Sequence, residues 1–131
     1  MASIAEFSIT GSGVGGLVGG PDGALWFTAG SHAKLGRMTL AGEISHFPLS
    51  QGVDPKTIIN GPDGNFWFTA YGASLVGKIT PEGVVTQYSI PGANPEYLTV
   101  GPDGNIWFTE SGRSRVGKIV PSGVNAGTIT E

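Results

Sequence analysis

Residues able to do chemistry are few in this chain. Its 131 residues include two histidines, His32 and His46, and no cysteine. A metal site needs three or four converging ligands, and the lack of thiols excludes disulfides and thiolate sites outright. His32 falls in a loop and His46 in a strand, so ordinary surface roles and no bound metal are expected. No Ser/His/Asp arrangement is readable from spacing. Gly11-Ser12-Gly13-Val14-Gly15-Gly16 satisfies G-x-G-x-x-G. That pattern cradles a pyrophosphate only between a strand and a helix, with an acidic residue about 20 positions on. Here a strand and a Pro-Asp-Gly turn follow, so the segment reads as a flexible loop. Asp22, Asp63 and Asp103 recur at regular spacing. A calcium loop supplies several oxygens close together in sequence. These carboxylates stand singly and read as turn formers.

The elements that must position these residues are short strands. Glycine contributes 23 residues and proline 9, against 39% hydrophobic residues and no collagen-like period, a balance that points to strands joined by tight turns. Charged residues make up 13% and the net charge is −3, which argues against a nucleic-acid or anionic-membrane partner. No apolar run is long enough to span a bilayer. Met1 to Thr10 lacks a basic region followed by an apolar stretch, so no signal peptide is visible and a cytoplasmic location is the default.

A period of about 40 residues dominates the sequence and signals a repeat architecture. Gly20-Pro21-Asp22-Gly23-Ala24-Leu25-Trp26-Phe27-Thr28 returns from Gly61 to Thr69 and from Gly101 to Thr109, so Trp26, Trp67 and Trp107 share one repeat position. A second anchor follows each time: Leu35-Gly36-Arg37-Met38, Val76-Gly77-Lys78-Ile79 and Val116-Gly117-Lys118-Ile119. Each repeat reads as four strands, A to D. Proline presets φ in the A–B turn and glycine closes it. Strand B alternates, with Leu25, Phe27, Phe66, Phe68, Ile106 and Phe108 on one face and the tryptophans on the other. Large apolar groups on both faces require both faces to be covered. The glycine inside strand C marks a close backbone approach or a bulge. Arg37, Lys78 and Lys118 on strand C are expected to pair across strands or to be solvated. Four antiparallel strands in about 40 residues is one β-propeller blade, so the chain is expected to be all-β, with three such blades.

The ends do not match. Ile4-Ala5-Glu6-Phe7-Ser8-Ile9 aligns with Ile44 to Leu49 and with Val85 to Ile90, so it reads as a D strand with no A, B or C before it. In the tail, Asn125 and Thr128 replace the apolar and aromatic positions. The expected boundaries are strand D at 3–9, blades at 15–49, 57–90 and 97–120, and an off-pattern tail at 124–131. The third blade would then be completed by an N-terminal strand. Propellers typically have four to eight blades, and three cannot close a ring. A blade interface of about 500 Å² of apolar surface is worth on the order of 10 kcal/mol, and monomers rarely leave such a patch open. The expected partner is therefore a second copy of the chain in a head-to-tail ring. Two chains with six blades are favoured, with three chains and nine blades as the alternative.

Gly-Pro-Asp-Gly-Asn-Ile-Trp-Phe-Thr-Glu, Val-Gly-Lys-Ile and Pro-x-Gly-x-Val-Thr-Gln-Tyr-x-Ile-Pro together resemble the blade of the virginiamycin B (streptogramin) lyase family, over about residues 3–124. The resemblance implies a seven-bladed single-chain propeller that opens ester-closed group B streptogramins by elimination. It also implies Mg²⁺, a histidine at the start of strand A, and carboxylates nearby. In this chain the histidine slot holds Gly15, Lys56 and Glu96, and the Trp-Phe-Thr-Glu carboxylate survives only as Glu110, with Ala29 and Ala70 in the other repeats. A non-catalytic structural module without cofactor is therefore expected. Lys56, Glu96 and Glu110 remain as candidates for binding a small polar ligand at the channel mouth, with lyase-like elimination as a third, disfavoured reading.

Overall fold

The computed structural model describes residues 3–9, 13–30 and 33–131. They form three antiparallel four-stranded sheets, and each sheet uses one continuous stretch of chain. The first comprises β1 (Val14–Gly19), β2 (Leu25–Ala29), β3 (Lys34–Met38) and β4 (Ile44–Pro48). The second comprises β5 (Thr57–Asn60), β6 (Phe66–Ala70), β7 (Leu75–Ile79) and β8 (Val85–Ser89). The third comprises β9 (Pro95–Val100), β10 (Ile106–Glu110), β11 (Arg115–Ile119) and β12 (Ile129–Thr130). The first strands β1, β5 and β9 lie side by side across the three sheets, which makes them the inner strands of a propeller. Among the described residues no helix is long and apolar enough to cross a membrane.

The two-sided apolar pattern of strand B builds the stack. The tryptophan face of each blade meets the phenylalanine face of the next. Trp26 and Leu35 pack with Phe66, Phe68, Ala70 and Ile79 in one core; Trp67 and Val76 pack with Ile106, Phe108 and Ile119 in the other. Trp26, Trp67, Phe66 and Phe68 are fully buried.

The strand C glycines serve close approach rather than a bulge. β3 pairs β2, and β7 pairs β6, without any register shift. A Cβ at Gly36 would sit 2.0 Å from the ring of Phe27, and one at Gly77 would sit 2.3 Å from Phe68. The irregularities fall instead between strands A and B, at Val14/Leu17 and at Phe108/Glu110.

The third blade closes differently from the expectation. Its fourth strand is β12, from the chain's own tail, pairing Ile119 with Ile129 and Lys118 with Thr130. The tail reaches that edge through a longer turn. Val120 N–H bonds to the Thr128 carbonyl, Gly127 N–H returns to the Val120 carbonyl, and Gly127 adopts φ 88°. The extra residues displace the apolar position to Ile129, so the repeat register hides this strand. Residues 3–9 are described but make no strand pairing.

Candidate functional site

Lys56 and Glu96 stand at equivalent positions of successive repeats, at the start of the inner strands. The fold brings them together, with Lys56 Nζ 3.5 Å from Glu96 Oε2. The same ammonium lies 5.6 Å from the ring centroids of both Tyr71 and Tyr97. An ammonium between two phenol rings and beside a carboxylate is a cation–π clamp. The tyrosines were not legible in the sequence; their only signal is adjacency, one following Ala70 and the other following Glu96. Gly15, the third occupant of this position, adds no side chain. A Cβ there would lie 3.1 Å from Thr28 Oγ1 and 3.3 Å from the Lys56 carbonyl.

A threonine ladder fixes this rim from behind. Thr28 Oγ1 donates to the Lys56 carbonyl at 3.3 Å, and Thr69 Oγ1 donates to the Glu96 carbonyl at 2.7 Å. These two strand B threonines thus tie the first blade to the inner strand of the second and the second to that of the third. Both threonines are fully buried, whereas Thr109, their counterpart in the third blade, is exposed.

Glu110 does not join the Lys56–Glu96 pair. It lies on the same face of β10 as Ile106 and Phe108, is 1% exposed, and neither carboxylate oxygen has a hydrogen-bond partner. Burial and the adjoining Glu131 carboxylate push its carboxyl group up, against the pull of Arg113 and Arg115. Glu131 in turn pairs with Arg113, whose guanidinium also holds the Pro91 carbonyl.

The recurring aspartates anchor the tryptophans as well as the turns. Trp67 Nε1 donates to Asp63 at 3.1 Å and Trp107 Nε1 to Asp103 at 2.9 Å, while Trp26 Nε1 lies 3.3 Å from an Asp22 oxygen. Arg37 pairs with Asp22 at 2.8 Å and Lys118 with Asp103 at 3.8 Å, while Lys78 sits 5.5 Å above the Trp67 ring. Burial opposes ionisation of Asp22, but hydrogen bonds from Arg37, the Ala24 N–H and Trp26 hold its carboxyl below the usual range. His46 lies on β4 with Nδ1 buried and unpartnered; burial and the nearby Lys34 hold its pKa down. His32 lies outside the described residues.

Among the described residues no group of three or more His, Asp or Glu side chains converges as a cation site would require. Glu96 is already neutralised by Lys56. This donor set does not fit Mg²⁺.

The stack ends in two open apolar faces. On the third blade Trp107 is half-buried, Val116 is 56% exposed and Tyr97 59% exposed, around a cleft of about 170 Å³. At the first blade Leu17 is 62% exposed beside a cleft of about 230 Å³, lined also by Phe7, Ile9, Leu25 and Phe27.

Three sheets joined through inner strands, with tryptophan and phenylalanine faces alternating, define a segment of a β-propeller. The virginiamycin B lyase family model matches residues 2–130, and the chain belongs to that family. It is 33% identical to virginiamycin B lyase from Staphylococcus aureus, with a TM-score of 0.89 over 96% of this chain and 43% of that one. A catalytically inactive variant of the same enzyme, solved with quinupristin, is 34% identical over 89% of this chain and 40% of its own, with a TM-score of 0.83. A further streptogramin B lyase structure is 32% identical, with a TM-score of 0.87. The chain thus spans less than half the length of these lyases. No curated protein matches it at significance.

Proposed function

We propose that the chain is a non-catalytic structural propeller module that associates head to tail with copies of itself into a closed ring. Two chains would give six blades, the favoured arrangement, and three would give nine. One observation carries the reading: the tryptophan face buried completely at Trp26 and Trp67 is repeated, only partly covered, at Trp107, with Val116 and Tyr97 exposed beside it. Burying large apolar side chains is worth about 2 kcal/mol each, so this face favours a partner of the same chemistry. The phenylalanine face of the first blade has that chemistry. The absence of histidine at Gly15, Lys56 and Glu96 supports the non-catalytic part.

The test is native mass by light scattering across a dilution series. Twice 13.4 kDa, about 27 kDa, is the expected result, with about 40 kDa for the trimer. A mass near 13.4 kDa at every concentration overturns the reading. An elimination assay on a cyclic depsipeptide with added Mg²⁺ is expected to show no turnover, and turnover would reinstate the lyase reading.

A second reading rests on the rim. Lys56 between Tyr71 and Tyr97, beside Glu96, presents a partly exposed surface able to hold a small polar ligand. A thermal-shift screen of small polar compounds tests it. Stabilisation that disappears in a Lys56→Met, Glu96→Gln double variant supports it, and a screen without any stabilising compound removes it.

A further inference from the structure

The first and second blades each carry an aromatic residue on the fourth strand that makes two contacts. It stacks on the tryptophan of its own blade: Phe47 on Trp26 with centroids 5.1 Å apart, and Tyr88 on Trp67 at 5.9 Å, each pair within 11° of parallel. It also covers a turn glycine of the following blade. A Cβ at Gly83 would lie 2.7 Å from Phe47, and one at Gly127 would lie 3.1 Å from Tyr88.

Phe7 makes the second of these contacts without the first. A Cβ at Gly42 would lie 3.1 Å from its ring, the same relation to the first blade that Phe47 has to the second. Residues 3–9 therefore already lie where the fourth strand of a preceding blade belongs. Phe7 remains 49% exposed and Ile4 88% exposed. At the other end of the stack Trp107 has the opposite lack. The strand beside its blade is β12, which offers Ile129 and Thr130 and no aromatic ring. β12 holds only two residue pairs, where β4 and β8 each hold five. Thr109 likewise faces outward, while Thr28 and Thr69 each bond to the following inner strand.

We propose that residues 3–9 of one copy form the outer strand of the third blade of the next copy, seating Phe7 on Trp107 and displacing β12. This rests on the head-to-tail reading above and adds its mechanism. The repeat register fixes the pairing. Leu35 faces Phe47 and Val76 faces Tyr88, so Val116 faces Phe7 of the other copy. Lys34 faces Pro48 and Leu75 faces Ser89, so Arg115 faces Ser8. The Thr109 hydroxyl then reaches the carbonyl of Gly15, the counterpart of Lys56 and Glu96. The segment acts as a strand addressed to another copy, and β12 serves as its placeholder in the single chain.

The chain has no cysteine, so introduced thiols report without background. Single variants Ser8→Cys and Arg115→Cys, both at exposed positions, are mixed and oxidised. A disulfide-linked heterodimer on a non-reducing gel is expected, and a Ser8→Cys with Thr86→Cys mixture serves as the off-register control. Phe7→Ala is expected to weaken association about tenfold, the effect of one lost aromatic stack. Deleting residues 128–131 is expected to strengthen association, whereas a purely structural role for β12 predicts the reverse. If the native mass shows association but the cross-link fails and the deletion weakens association, self-assembly stands and strand exchange falls. A monomeric native mass removes both.

Discussion

The indole nitrogen of Trp67 donates to Asp63 Oδ1 at 3.1 Å, linking a fully buried side chain to the turn that precedes its strand. The same carboxylate receives the backbone N–H and the side-chain amide of Asn65. One aspartate thus shapes the A–B hairpin and satisfies a polar atom at a blade interface.

Replacing Asp63 with Ala should therefore cost more than a turn substitution. The indole N–H is left in a dry interface without a partner, a loss of about 1–3 kcal/mol. Chemical denaturation monitored by far-UV circular dichroism measures it, and an effect below about 0.5 kcal/mol would show that water replaces the carboxylate.

Gly77→Ala should be among the most damaging single changes. The added methyl group meets the Phe68 ring at 2.3 Å, inside the most enclosed blade, and overpacking of that kind costs about 1–3 kcal/mol or more. The same denaturation experiment reads it. The equivalent change at Gly19, which has nothing within 4 Å, is the control for loss of glycine itself.

Thr69→Val keeps the shape of the side chain and removes its hydroxyl. The Glu96 carbonyl loses a 2.7 Å donor and Thr57 loses its 2.8 Å neighbour. A loss of about 1–2 kcal/mol is expected. Tyr71 and Tyr97 fluorescence near Lys56 should also change, because the ladder behind the rim is cut.

Glu110→Gln should stabilise the protein at neutral pH. The native carboxyl is raised by burial and by Glu131, so the folded state binds its proton more readily than the unfolded state. Ionisation then opposes folding above the folded pKa; this penalty fades as pH falls from the folded pKa towards the unfolded value of about 4.3 and is absent below it. The variant is expected to gain about 1 kcal/mol at pH 7, the extra cost of burying an unpartnered charge, and nothing at pH 3. A gain of equal size at both pH values would overturn the assignment.

The blades were legible in the sequence because each uses the same local devices in the same order. The Gly-Pro-Asp-Gly turn, the two-faced strand around Trp26, Trp67 and Trp107, and the glycine of strand C each carry a short-range physical signature. β12 was not legible. Asn125-Ala126-Gly127 lengthens its turn, so Ile129 arrives out of step with the repeat. The nearness of Lys56 and Glu96 followed from their shared repeat position, but the flanking Tyr71 and Tyr97 did not, because their meeting depends on how two blades stack. Glu110 kept its place in the motif and lost the surroundings expected for it, since its contacts are made by the tail.

Each sheet is woven from one uninterrupted stretch of chain, and none lends a strand to another. Such a molecule behaves as a linear array whose free energy is a sum of unit terms and nearest-neighbour couplings. Loop closures stay short, which favours rapid folding for an all-β chain. The unit from Thr57 to Ser89 has two couplings and its neighbours have one each, so its amide protons should outlast theirs in hydrogen exchange. Duplication or loss of one whole unit changes the count of couplings without breaking a sheet, and by this route a propeller can change its number of blades while keeping its local rules.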